Sequence, residues 1–250
     1  MSESRRLPFG GITANQLRLL AMVLMVLDHL WATIIPGNDW MTHLGRMAFP
    51  IFAFQIAEGY CHTSDWRRYL KRLLVFALIS EVPFDLIMSG SPVFIFHQNV
   101  LFTFVLGLRA IAALDDFKRE RTAKRALRAA LAVAGSLLLG LIGMVDYGWR
   151  GVATVIGFWV LRQLPFEKPL QLVMLLLLNQ VFFKGQMIPV PLPGGGTFEL
   201  ATQAFAVLAV LPIWLYNGQK GRSSRALQLG AYAFYPAQFL AIWLVWKLLL

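Results

Sequence analysis

Apolar residues run along this chain in long blocks, interrupted by short stretches rich in Pro, Gly and charge. A helix needs about 20 residues to cross the hydrocarbon core of a bilayer. Set against the interruptions, the blocks predict nine spans, over residues 14–35, 44–62, 70–88, 98–114, 129–145, 150–164, 169–188, 199–216 and 227–249. The sixth is short, and the "DYGWRG" break before it is mild. Blocks of this length read as helices rather than strands. The expected fold is all-α, a polytopic transmembrane helix bundle forming a single integral-membrane domain over residues 1–250. "PVPLPGGG" reads as a stiff and then flexible loop within that bundle, because Pro fixes the backbone and Gly frees it.

Composition agrees with the blocks: 58% of residues are hydrophobic, 14% are charged, and mean hydropathy is +0.61. A soluble domain carries more charge and less apolar bulk. A net charge of +10 would ordinarily raise nucleic acid as a partner. Its placement argues for a lipid bilayer instead. Arg5 and Arg6 precede the first span, and Arg67, Arg68, Lys71 and Arg72 join the second to the third. "KRERTAKRALR" joins the fourth to the fifth, Arg162 and Lys168 the sixth to the seventh, and Lys220, Arg222 and Arg225 the eighth to the ninth. The alternate connections "PGNDWMTH", "SGSPVFIFHQ" and "PVPLPGGGTFE" hold no Lys or Arg. Positive loops stay in the cytoplasm, so the amino terminus is expected there and no nucleic acid is expected. The basic-then-apolar start resembles a signal peptide, but Asp28 lies in its apolar run and no small-residue cleavage site follows, so it reads as a retained span. A lone cysteine, Cys61, excludes a disulfide framework, and four scattered histidines offer no metal-ligand spacing.

Ionisable groups inside apolar spans are costly and mark candidate sites. The first span holds Asp28 beside His29, the second Arg46 and Glu58, and the third Glu81 and Asp85, four residues apart on one helix face with Pro83 between them. His97, Asn99, Asp146, Tyr147 and Arg150 fall near the opposite membrane surface from the basic loops. Adjacent helical residues point about 100° apart, so Asp28 is poorly placed to orient the ring of His29. Asp28 is expected to pair with Arg46, and His29 to take its orienting partner from Glu58, Glu81 or Asp85. Imidazole is the natural group for proton transfer near neutral pH. The plainer readings are that Asp28 and Arg46 lock two helices together, and that Glu58 and His62, one turn apart, only meet the membrane interface.

The segments "ITANQLRLLAMVLMVLDH", "GRMAFPIFAFQIAEGYCHT", "RRYLKRLLVFALISEVPFDL", "NVLFTFVLGL", "DYGWRGV" and "YAFYPAQ" follow one another as in the TraX family, and the resemblance runs from Ile12 to Gln238. It implies a multi-pass protein of the bacterial inner membrane, similar to the acetylase that modifies the amino terminus of conjugative pilin and more distantly to membrane acyltransferases. The implied reaction moves acetyl from cytosolic acetyl-CoA to an amine or hydroxyl, on a pilin-like protein or a surface glycan. The family's Asp-His falls on Asp28 and His29, its Gly-Arg on Gly45 and Arg46, and its Glu-Gly on Glu58 and Gly59. Its Pro-Phe-Asp falls on Pro83, Phe84 and Asp85, and its Asp-Tyr-Gly on Asp146, Tyr147 and Gly148. In that reading His29 is general base or transient acetyl carrier, Arg46 stabilises an oxyanion, and Arg67, Arg68, Lys71 and Arg72 meet the coenzyme phosphates. His97, Asn99, Asp146, Tyr147 and Tyr235 complete a polar pocket, with no metal. One departure stands out: relatives read Tyr-Pro-x-His where this chain has Tyr235, Pro236, Ala237 and Gln238. A proton-coupled transporter is the rival from another class, weakened by the lack of a convincing internal repeat. A non-catalytic factor in surface-appendage assembly is the third reading.

Overall fold

A computed structural model describes residues 10–183, 185–222 and 224–249, so Arg5 and Arg6 lie outside the described residues. The chain packs as two compact units, each drawn from two stretches of sequence: Met1–Gln55 with Leu161–Ser223, and Ile56–Val160 with Ser224–Leu250.

In the first unit, helix α1 (Ala14–Thr33) starts at Thr13 through a capping box with Gln16. Its first amides are closed from far along the chain: Ala14 N–H donates to the Gln219 carbonyl at 2.9 Å and Asn15 N–H to that of Lys220 at 3.3 Å. A short parallel bridge joins Ile12 to Tyr216 beside them. After a turn at Gly37, α2 (Asp39–Gly45) packs back on α1, and α3 (Ala48–His62) follows. The expected span over 44–62 is thus divided, with Arg46 at the joint, and "PGNDWMTH" is partly helical rather than a plain connection. Gly45 permits the return: a Cβ there would lie 2.4 Å from Asp28 Cβ. Further on, α8 (Glu167–Leu176) widens into a π-helical turn over Leu177–Phe182. A 3-10 stretch, Thr202–Ala209, then runs into α9 (Val210–Trp214). Leu17, Ala21, Ile51, Leu175, Ala206 and Ala209 are fully buried among these elements.

Between π turn and 3-10 stretch the fold departs from all-α. Strands β1 (Met187–Pro191) and β2 (Thr197–Ala201) pair antiparallel, with Ile188 opposite Leu200 and Val190 opposite Phe198. Gly194, Gly195 and Gly196, all at positive φ, turn the chain at the tip. The "PVPLPGGG" segment is therefore a hairpin, and the expected span at 199–216 begins as a strand. Gln180 bonds the outer edge of β2, donating to the Glu199 carbonyl at 2.8 Å and accepting from Ala201 N–H at 3.0 Å. Backbone groups alternate along a strand, so Leu200 and Phe198 face β1, and Pro189 and Pro191 face outward on the far edge, where neither has an N–H to offer.

The second unit holds most of the remaining helices. Helix α4 (Trp66–Ser89) is capped by Asp65 and closes on Gly90 in the left-handed region. Asn99 caps α5 (Val100–Arg119), and Thr122 caps α6 (Ala123–Ile142). Helices α7 (Gly148–Leu161) and α10 (Arg225–Leu249) complete it, with Leu108, Ile111, Val152, Val155, Phe158 and Phe239 in the core. Gly107 lets α5 and α7 touch, since a Cβ there would lie 2.6 Å from Val155 Cγ1. The basic segment 118–128 was expected to separate helices ending at 114 and beginning at 129. It is instead mostly helical, because Lys, Arg and Glu are good helix formers and hydropathy marks the lipid boundary, not the end of a helix. Among the described residues three helices, Ala14–Thr33, Ala123–Ile142 and Ala226–Leu249, are long and apolar enough to cross a membrane; Gly148–Leu161 and Thr202–Trp214 are apolar but shorter.

Candidate functional site

Two polar clusters stand out, one in each unit. In the first, Asp28 Oδ1 accepts the Thr42 hydroxyl at 2.7 Å and lies 3.2 Å from Arg46 Nη2. Arg46 Nε and Nη2 also donate to Thr42 Oγ1, at 3.1 and 2.9 Å, and Nη1 reaches Gln203 Oε1 at 3.5 Å. Gln203 Nε2 donates to Asn179 Oδ1 at 3.2 Å, and Asn179 sits in the π turn. Asp28 and Arg46 are therefore paired directly, as expected, and also share Thr42, which sequence reasoning missed. The available signal was the four-residue spacing of Thr42 and Arg46. Gln203 and Asn179 were also missed; buried amides in apolar runs were the sign. His29 is half-buried on α1, and its carbonyl accepts the Thr33 hydroxyl at 2.6 Å. His43, one turn before Arg46, stacks on Phe205 with ring centroids 4.2 Å apart.

The second cluster gathers where α4 ends and α5 and α7 begin. Glu81 Oε1 accepts Asn99 N–H at 2.9 Å and the Asn99 side-chain amide, which also donates to the Ala77 carbonyl at 2.8 Å. Asp85 is buried; its Oδ2 accepts Phe94 N–H at 2.8 Å, while its Oδ1 has no hydrogen-bond partner among the described residues. His97 Nε2 lies 3.6 Å from Asp146 Oδ1, and both side chains are 31% exposed. The Asp146 carboxylate holds the His97 imidazole above its usual pKa, against burial, which pulls it down; Glu81 and Asp85 add to the rise. Phe84 meets the His97 ring edge-on at 5.1 Å. Tyr235 is buried, accepts a backbone hydrogen bond from Val100, and lies within electrostatic reach of Asp146, Glu81 and Tyr147.

Backbone strain points to the same place. Among the described residues three non-glycine positions adopt positive φ, and two of them, Met144 and Tyr147, flank Asp146. Such conformations cost about 1–3 kcal/mol each and persist where the surroundings enforce them, often at functional sites. Here Gln98 enforces them: its N–H donates to the Met144 carbonyl at 2.9 Å and its carbonyl accepts Asp146 N–H at 2.8 Å. The turn presents Asp146 to His97.

At the other end of the second unit, Glu58 Oε1 meets His62 Nε2 at 2.8 Å. The three carboxylates offered to His29 by the sequence thus engage His62, Asn99 and Phe94. Arg67, Arg68, Lys71 and Arg72 are exposed on the first turns of α4. Arg68 pairs with Asp65, while Arg67 and Arg72 lie over Trp66 and Tyr69. Among the described residues no three His, Cys, Asp or Glu stand where they could hold a metal ion.

The profile of the TraX protein family matches residues 13–246, nearly the whole chain. The chain belongs to the TraX family. With three helices fit to cross a bilayer, this TraX-family chain is a membrane protein. It is similar to a protein of Dichelobacter nodosus named "Probable fimbrial assembly protein FimC, serogroup H1", at 28% identity over 93% of this chain and 92% of that one. It is also similar to Protein TraX of Escherichia coli, at 28% identity over 50% of this chain and 53% of that protein. The match to Protein TraX of strain K12, at 29% identity, has the same coverage, so both alignments span about half of each partner. No solved structure matches the chain.

Proposed function

We propose that this chain is an integral-membrane acetyltransferase that moves an acetyl group from acetyl-CoA to an amine or hydroxyl of a pilin-like protein, with His97 as the proton-transfer group and Asp146 orienting it. The observation that carries the reading is the His97–Asp146 pair, 3.6 Å apart, presented by a strained turn and flanked by Glu81, the free oxygen of Asp85 and Tyr235. Bonds of this kind are often long before substrate arrives.

In the reaction an acceptor nitrogen or oxygen attacks the thioester carbonyl as His97 takes its proton. The carbon–sulfur bond breaks, and the proton held by His97 goes to the departing thiolate. A carboxylate on the far nitrogen stabilises the imidazolium that forms. Acetyl-CoA supplies the activated acyl group. Its phosphates would be held by Arg67, Lys71 and Arg72, which have no carboxylate partner among the described residues, and by Arg68. Those cations and the carboxylates sit toward opposite ends of α4: from Lys71 to Asp85 is 14 positions, about 20 Å along a helix. That separation supports a donor bound at one membrane face and an acceptor at the other. Arg46, whose donors engage Thr42, Asp28 and Gln203, acts in this reading by holding α2 against α1.

Purified protein in lipid nanodiscs, given labelled acetyl-CoA and pilin-type peptides, is the test. Transfer is expected, falling at least 100-fold in His97→Ala. Unchanged transfer by His97→Ala with loss in His29→Ala would move the base to His29. A non-catalytic role in appendage assembly is the second reading, favoured by the near full-length likeness to a fimbrial assembly protein. Failure of acetyl-CoA to bind or stabilise the protein would select it.

A further inference from the structure

The loop from Ser91 to His97 has an unusual surface. It lies outside any helix, yet Val93, Ile95 and Phe96 are 68%, 70% and 61% exposed. A loop bathed in water is expected to show polar side chains there, and a contiguous apolar patch marks an interaction surface. The loop is not loose. Asp85 holds Phe94 N–H, the Phe94 ring meets Phe96 edge-on, and Ser89 and Ser91 close the turn behind Gly90. These contacts fix the loop, with the Phe94 N–H turned in to Asp85, and leave the three apolar side chains outside.

What covers them follows from the neighbouring helix. Helix α6 is long and apolar enough to cross a membrane, and only 17% of its apolar window is buried within the protein. Its outward residues continue to its last turn, where Leu138, Leu141 and Ile142 are 54–60% exposed, and on to Met144. The bond from Gln98 N–H to the Met144 carbonyl joins the loop to that stretch. The loop is therefore tethered, through Gln98, to the end of a helix whose outward residues are apolar.

We propose that the loop 91–97 is a membrane-interface anchor: Val93, Ile95 and Phe96 insert into the bilayer among headgroups and upper acyl chains, and hold His97 at that depth. A site so placed meets acceptors that lie in the membrane surface in preference to ones dissolved in water. That last consequence rests on the proposed role of His97; the depth of the loop does not.

The test is depth measurement in nanodiscs on a Cys61→Ser background, with an environment-sensitive fluorophore on Phe96→Cys and, separately, on Val93→Cys. Leu131→Cys, midway along α6, is the lipid reference, and Arg121→Cys, in the charged α5–α6 connection, is the water reference. Lipids bearing a nitroxide at the headgroup or high on the acyl chain are expected to quench the loop labels strongly, and aqueous iodide several-fold less than it quenches the Arg121 label. Iodide quenching equal to that at Arg121 would overturn the anchor, leaving a wet loop. Protection from both quenchers would overturn it too, placing the patch against protein. Neither result depends on acetyl transfer, so this inference and the proposed function fail separately.

Discussion

Adding one methyl group at Gly45 probes the joint between α1 and α2. In Gly45→Ala the new Cβ would sit 2.4 Å from Asp28 Cβ and 3.0 Å from its Cα and Cγ. Carbon atoms rest about 3.5–4.0 Å apart, so α2 must retreat by about 1 Å. Overpacking of this kind costs about 1–3 kcal/mol. The retreat also stretches the 2.7 Å Thr42–Asp28 bond and the 3.2 Å Arg46–Asp28 contact. A hydrogen bond to a charged group contributes about 1.5–3 kcal/mol, of which part is lost. Alanine's better helix propensity returns up to about 1 kcal/mol. The net expectation is about 2–4 kcal/mol of destabilisation. For a chain of this size each kcal/mol moves Tm by about 2–4 °C, giving a fall of roughly 5–15 °C. Unfolding of detergent-purified protein followed by tryptophan fluorescence reads it directly. Gly135→Ala on α6 is the control, because nothing lies within 4 Å of a Cβ there, and it should leave Tm equal or higher. If Gly45→Ala melts with the wild type, or if both substitutions shift Tm the same way, the close approach of α2 to Asp28 is wrong.

Other consequences are as concrete. In a double-mutant cycle, Asp28→Asn and Arg46→Gln should show a coupling of about 0.5–3 kcal/mol, and additive effects would deny the pair. Because the pKa of His97 is raised, the stability it contributes should be full below about pH 6.5 and fade as pH rises through its higher folded-state value. Asp146→Asn should flatten that part of a Tm-against-pH curve, and an unchanged curve would deny their contact. Asn99→Ala removes the α5 cap and a donor to Glu81, so about 1–3 kcal/mol of stability should go, read by the same melts. Asn99→Asp keeps the cap but sets a carboxylate against Glu81, and should be no better than alanine.

Much of this architecture could be read from the chain, and the exceptions have physical causes. Long apolar blocks announced helices, since nothing else satisfies backbone groups in lipid over such lengths. The attraction of Asp28 for Arg46 was foreseeable because an unpaired charge in that setting is expensive. The break at Arg46–Met47 was not, because a polar joint between short helices leaves the hydropathy of the stretch almost unchanged. The hairpin was missed for a related reason: its strands are five residues each and proline-rich, which reads as loop. His97 and Asp146 both read as polar residues near one membrane surface, yet nothing in a linear pattern joins positions nearly fifty residues apart. Their meeting depends on the Gln98–Val145 bridge and two positive φ angles, which only the folded backbone displays.

The bonding of the first helix's opening amides to Gln219 and Lys220 imposes an order on biogenesis. During synthesis α1 leaves the ribosome long before residues 219 and 220, with its opening amides served by water or lipid headgroups. Their protein acceptors arrive only after most of the polypeptide has been made, for they are the carbonyls of Gln219 and Lys220. The half of the molecule that holds Asp28 and Arg46 is thus completed late, and a nascent chain stopped before residue 219 would keep the Thr13–Gln16 capping box but leave the Ala14 and Asn15 amides without their carbonyl partners.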